Sequence, residues 1–268
     1  MKYRLVTFSV LAVLALNSSP IWAGVMDKIK KDGIMRICNE PGYMPFGMKN
    51  KDNTLVGFDI DLAALITQEL GVKPEWVNTA WADIIPALLN DKCDIIMSGM
   101  SITEERRQKI DFTNAYVIIG QTVLLRKELG DKVKTYTDLN DPKYKVIAKA
   151  ATTSEEAVKR YLPKAQHIYL AKEDEGVLEV LNGKADAFIY DSPYNTVAFG
   201  KQGQGKLVFL DSPFTSEPIG FAVRKNEPEF LNWLNQFLDS IKNTKRYALY
   251  KKWFKKTDWL KDMPSPSS

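Results

Sequence analysis

One run of residue types occurs twice in this chain, each time at the close of an alternating series of strands and helices. Leu89-Asn90-Asp91-Lys92-Cys93-Asp94-Ile95-Ile96 and Leu181-Asn182-Gly183-Lys184-Ala185-Asp186-Ala187-Phe188 both read as a helix end, a tight turn with a lysine, and an Asp entering a buried strand. Before the first copy, Ile34 to Asn39, Lys73 to Asn78 and Cys93 to Ser98 read as strands. Helices over Asp59 to Leu70 and Ala82 to Leu89 separate them. Leu62, Ala63, Leu65, Ile66 and Leu70 form a helical apolar stripe, and Asp59 and Asp61 load the first turn, where the helix dipole favours acids. The second copy closes a matching unit: strand Tyr144 to Lys149, helix Ser154 to Leu162, strand His167 to Leu170, helix Glu173 to Leu181 and strand Ala187 to Tyr190. Such βαβαβ units require parallel sheets with right-handed crossovers. Two of them in one chain predict an α/β fold of two related lobes.

Two apolar, β-rich segments join the units, Val117 to Arg126 and Ile219 to Arg224, each with a nearby glycine (Gly120, Gly220). Helices follow over Glu227 to Ile241 and Lys245 to Lys255. The expected organisation is one lobe from residues 24–121 and 220–262, with the other, 122–219, inserted into it. Two connecting strands permit hinge closure. Residues 263–268, rich in Pro and Ser, read as a disordered tail.

Residues 1–23 read as a secretory signal peptide. Lys2 and Arg4 precede an apolar run from Leu5 to Leu16, and Ile21-Trp22-Ala23 offers a small residue for cleavage. The run is about a dozen residues, short of the ~20 that span a bilayer. Loss of Lys2 and Arg4 leaves 35 basic against 33 acidic side chains, a net charge of +2. That balance argues against nucleic acid or an anionic membrane as partner. Cys38 falls late in one strand and Cys93 at the start of another. In parallel strands they lie at opposite ends, so two buried free thiols are expected rather than a disulfide. His167 is the single histidine and has no Cys/His cluster around it, so neither a metal site nor another cofactor is expected.

Ligands in parallel α/β sheets bind beyond the carboxyl ends of the strands. The residues there include Glu40 and Tyr43; Ser98, Gly99, Ser101 and Arg106; Lys149, Thr152 and Thr153; and Asp191. This set suits a zwitterion. Arg106 and the helix start at Thr152-Thr153 offer a guanidinium and backbone N–H groups to a carboxylate. Asp191, the Gly99 carbonyl and Ser101 offer acceptors to an ammonium. Tyr43 and Phe58 are placed to sandwich a side chain between aromatic faces. Opposite charges on opposite lobes let the ligand complete a contact that neither open lobe makes alone.

Over residues 26 to 256 the chain resembles the periplasmic amino-acid-binding proteins of ABC importers, the polar amino acid group of solute-binding protein family 3. The resemblance rests on Tyr43-Met44-Pro45-Phe46, Gly57-Phe58-Asp59-Ile60-Asp61-Leu62 and Ile85-Pro86-Ala87-Leu88. It continues through Ser98-Gly99-Met100-Ser101-Ile102-Thr103-Glu104-Glu105-Arg106 with Asp111-Phe112, Asp186 to Asp191, Gly220-Phe221-Ala222-Val223-Arg224-Lys225 and Lys251-Lys252-Trp253-Phe254. It implies the two-lobed periplasmic-binding-protein fold and a monomeric, periplasmic protein that hands a free amino acid to a membrane permease. It also implies Arg106 on the ligand carboxylate, Asp191 on its amino group, and Tyr43 and Phe58 flanking it. Ala151 departs from the family's usual glycine. Glu40 stands where relatives often carry an Asp that meets the ligand side chain. Glu40 suits a cation or an amide, Lys149 an acceptor, so a polar or basic amino acid is favoured.

The resemblance extends to exported cyclohexadienyl dehydratases. On that reading Glu217, in Ser216-Glu217-Pro218-Ile219-Gly220, would be the general acid. The favoured reading gives Glu217 a hinge-side role and no catalysis. A sensing module that reports through a separate receptor is the other alternative.

Overall fold

Each copy of the repeated motif ties a strand to its neighbour in the same way. The computed structural model describes residues 24–264. Asp94 accepts from the Arg36 backbone N–H at 2.8 Å and pairs with the Arg36 guanidinium at 2.6 Å. Asp186 accepts from the Lys145 backbone N–H at 2.7 Å and pairs with Arg126 at 2.8 Å. The repeated Asp thus satisfies a backbone donor beside the start of a central strand, a role only an acceptor side chain can fill.

The first lobe contains α1 (Val25–Asp32), β1 (Ile34–Asn39), the hairpin β2 (Met48–Lys49) and β3 (Leu55–Val56), α2 (Phe58–Leu70), β4 (Lys73–Asn78), α3 (Trp81–Leu89), β5 (Ile95–Ile96), α4 (Glu104–Lys109) and β6 (Asp111–Phe112). After β7 (Val117–Ile119), the second lobe contains β8 (Gln121–Arg126), β9 (Lys145–Lys149), α5 (Thr153–Tyr161), β10 (Gln166–Leu170), α6 (Glu173–Leu181), β11 (Ala187–Asp191), α7 (Ser192–Ala198) and β12 (Leu207–Leu210). The chain returns through β13 (Glu217–Ile219) and β14 (Ala222–Val223) to α8 (Pro228–Ser240) and α9 (Lys245–Tyr250).

The strand orders are β4-β1-β5-β14-β6 and β10-β9-β11-β8-β12. β1 pairs in parallel with β4 and β5, and β9 with β10 and β11. The two crossings, β7 and β13, lie side by side in an antiparallel pair, with Val117 opposite Ile219 and Ile119 opposite Glu217. This is the two-lobed fold that the repeat predicts.

Two expectations need correction. Cys38 and Cys93 form a disulfide. Cys93 is not in the strand but in the turn before β5, so parallel register does not carry it to the far end. Its Cα lies 5.6 Å from that of Cys38, and both side chains lie in one apolar layer with Ile84 and Leu88 of α3. Met263, placed at the head of a disordered tail, is 8% exposed and packed against the core, and the Pro264 carbonyl accepts from Lys201 Nζ at 3.0 Å. Residues 1–23, where a signal peptide is expected, and residues 265–268 lie outside the described residues. Among those described, no helix is long and apolar enough to cross a membrane.

Candidate functional site

Residues at the carboxyl ends of both sheets line one small cavity between the lobes, with a volume of about 10 Å³. On the first lobe, the turn after β1 presents Tyr43, whose ring stacks on Phe46 at 4.8 Å between centroids. Gly99 lies beneath that ring with φ 60°. A β-carbon there would stand 2.4 Å from the Tyr43 ring, so only glycine permits this approach. The Gly99 N–H donates to Asp59 Oδ2 at 2.7 Å, and Tyr116 donates to Asp59 Oδ1 at 2.8 Å. Burial pushes the Asp59 carboxyl up to about 7, against the pull of those two donors.

Arg106 sits in the first turn of α4, which Thr103 caps by accepting from the Arg106 N–H at 3.2 Å. The residue is only 8% exposed, and its guanidinium lies 5.2 Å from the centre of the Trp81 ring. Among the described residues it makes one hydrogen bond, from Nη1 to the Ser101 carbonyl at 2.8 Å. Burial lowers its pKa, opposed by Glu156, Glu217 and Asp191.

On the second lobe, Thr152 and Thr153 open α5, and Thr152 Oγ1 donates to the Lys149 carbonyl at 2.7 Å. Ala151 just before them is left-handed, with φ 58°. The Trp81 indole N–H, from the first lobe, donates to the Ala151 carbonyl at 2.7 Å. Asp191 ends β11 and is 7% exposed. It accepts from the Tyr43 hydroxyl across the cleft and from Gln121 Nε2 at 2.6 Å. Both donors are neutral. Burial first, and then Glu217, push the Asp191 carboxyl up to about 7.

The cavity wall brings together Glu40, Tyr43, Gly99, Ser101, Arg106, Thr152, Thr153 and Asp191. Three expected residues stand back from it. Ser98 accepts from the Glu40 N–H at 3.0 Å and so holds that loop. Lys149, 2% exposed, is clamped between Glu40 of the first lobe and Glu173 of the second, the latter at 2.8 Å. Burial works against its charge, but the two carboxylates outweigh it and raise its pKa. Phe58 is fully buried among Phe46, Tyr116 and Phe254 and flanks no cavity. Trp81 and Tyr190 line the cavity instead, alongside Tyr43. Both follow from the strand-end rule: Trp81 begins the helix after β4, and Tyr190 is the penultimate residue of β11. Glu217 is not on the cavity wall. Its oxygens accept from Ser101 at 2.9 Å, Thr215 at 2.8 Å and Gln121 at 2.9 Å.

Residues 35–256 match the bacterial extracellular solute-binding proteins, family 3. The chain belongs to that family. Among curated relatives of this family-3 protein, the ABC transporter glutamine-binding protein GlnH of Bacillus subtilis (strain 168) is 32% identical over 216 residues, 78% of this chain and 77% of GlnH. Among solved structures, a putative binding component of an ABC transporter from Wolinella succinogenes DSM 1740, complexed with lysine, is 44% identical with a TM-score of 0.83. The match covers 85% of this chain and 99% of that one. AncCDT-1, described as an ancestral amino acid-binding protein and a precursor of cyclohexadienyl dehydratase, is 45% identical with a TM-score of 0.81, over 87% and 100% of the two chains. The cyclohexadienyl dehydratase of Pseudomonas aeruginosa is more distant, 26% identical over 85% of each chain. This family-3 protein is therefore nearest, among these, to binding proteins rather than enzymes.

Proposed function

We propose that this protein captures a free amino acid outside the cytoplasm by closing its lobes, and delivers it as a monomer to the permease of an ABC importer. The supporting observation is the placement of Arg106 and Asp191 at one cavity on opposite lobes. Asp191 is a buried carboxylate whose hydrogen-bond donors are neutral, so an ammonium would supply the missing positive charge. Arg106 and the start of α5 would receive the α-carboxylate. Ser98, Lys149 and Phe58 act from behind this wall, Ser98 and Lys149 through Glu40 and Phe58 through Phe46.

The side chain is proposed to be polar or basic, with a basic one favoured. Glu40, Lys149 and Glu173 form a cluster of two acids and one base, which leaves a net negative charge beside the cavity. The lysine held by the Wolinella relative supports the same choice. Catalysis is not proposed, because the oxygens of Glu217 are engaged by Ser101, Thr215 and Gln121 away from the cavity wall.

A thermal-shift screen of the mature chain against the common amino acids, arogenate and prephenate tests this reading, since a ligand that binds only the folded state raises Tm. A rise with lysine or arginine is expected, lost in Arg106→Ala and Asp191→Ala. Undiminished binding in both variants, or turnover of arogenate or prephenate, would overturn it.

A further inference from the structure

Asp191 and Glu217 are two buried carboxylates that share one amide. Gln121 Nε2 donates to Asp191 Oδ1 at 2.6 Å and to Glu217 Oε1 at 2.9 Å. Neither carboxylate has a salt-bridge partner among the described residues. Two acceptors on one side settle which way the amide faces, because only the NH2 group can meet both. The consequence is visible at the other end. Gln121 Oε1 is buried and has no partner among the described residues. Turning the amide over would set that oxygen against two carboxylates, so it stays unsatisfied.

The position of Gln121 is as informative as its bonds. It is the first residue of β8, directly after the outgoing crossing. The loop that leads into the returning crossing grips it on both sides of its backbone. Its N–H donates to Thr215 Oγ1 at 2.8 Å, and its carbonyl accepts from the Phe214 N–H at 3.0 Å. Thr215 also donates to Glu217, and Ser101 of the first lobe donates to the other Glu217 oxygen. A circuit therefore runs from Ser101 through Glu217 and Gln121 to Asp191, and back to the first lobe through Tyr43.

Resting on the amino-acid reading above, we infer that Gln121 is the positioning residue for the ligand's ammonium group. By bridging Asp191 to Glu217 it holds the receiving carboxylate in place and ties that placement to the hinge. A neutral bridge is the chemistry this needs. A Lys or Arg there would neutralise Asp191 from within and compete with the ligand. An apolar side chain would leave two carboxylates facing each other, and one would keep its proton. The other groups that face Asp191 are Tyr43, Tyr190 and Arg106, and those that face Glu217 include Arg106 and Glu156.

The test is lysine and arginine binding by calorimetry from pH 5.5 to pH 9, on the mature chain and on Gln121→Met, which keeps length and bulk but removes both donors. Wild-type affinity is expected to climb with pH through 7 and level off above about 8. In Gln121→Met the climb should move up by about one pH unit, a roughly fivefold loss at pH 7 and about tenfold at pH 5.5, with the difference from wild type gone by pH 9. Gln121→Glu should move it the same way and serves if the Met variant does not fold. Gln121→Lys should abolish binding at every pH while still folding. A wild-type pH profile in Gln121→Met or Gln121→Glu, whatever their Tm, would overturn the inference and leave the amino-acid reading standing. If wild type binds no amino acid at all, both fall together.

Discussion

The hydroxyl of Tyr43 on one lobe donates to Asp191 on the other, so the aromatic wall of the first lobe and the proposed ammonium site of the second are joined directly. The Asp191 carboxyl, pushed up to about 7, is half protonated near neutrality.

Binding of an amino acid should therefore release protons. An ammonium stabilises the ionised form and lowers the Asp191 pKa, so affinity falls as pH drops below 7, by up to about tenfold per unit. Calorimetry at pH 6 in buffers of different ionisation enthalpy should show proton release, and little at pH 8.5.

The same group bears on stability with a definite sign. A carboxyl raised from 3.8 to about 7 holds its proton more tightly when folded. The stability this confers is complete below 3.8 and lost as pH rises through 7. Asp191→Asn should accordingly raise the ligand-free Tm at pH 8 more than at pH 4, while abolishing binding. A variant less stable than wild type at pH 8 would contradict this.

Ala151 holds a left-handed conformation that costs a residue with a β-carbon about 1–2 kcal/mol. Part of that gain returns as unfolded-chain entropy when glycine replaces it. Ala151→Gly should raise Tm by about 2–4 °C and leave affinity within about twofold. Differential scanning calorimetry with and without lysine checks both.

The Cys38–Cys93 disulfide spans 55 residues. On the loop-entropy account such a closure is worth about 4 kcal/mol. A Cys38→Ser/Cys93→Ser double variant should unfold at lower urea with the same ligand selectivity, because neither sulfur lines the cavity.

Much of this molecule is legible in its residues, for identifiable reasons. The strand–helix alternation carries its own periodicity, and the duplicated Asp motif marks the same structural joint in each lobe. The strand-end rule brings Arg106, Asp191 and the Thr152-Thr153 turn to one cavity, because backbone topology places those positions whatever their side chains do. What sequence does not carry is side-chain direction at helix starts. Phe58 and Trp81 both open helices after a strand or turn, yet Phe58 turns into an aromatic cluster completed by Phe254, far along the chain, and Trp81 turns toward Arg106. The position of Cys93 is hidden from the sequence for a similar reason. Its strand is only Ile95–Ile96, and the irregular turn before it follows no register. Met263 lies in a Pro/Ser-rich end whose composition gives no sign that a core packs against it.

Trp81 stands half-buried at the lobe seam, with a guanidinium against its ring and its N–H spent on the opposite lobe. Separation of the lobes would strip it of the Ala151 carbonyl, and a cationic neighbour on an indole face alters both the colour and the yield of its emission. The protein therefore carries its own optical reporter of domain motion. Stopped-flow fluorescence, with Trp81→Phe as the silent control, would time the closing step without any attached dye.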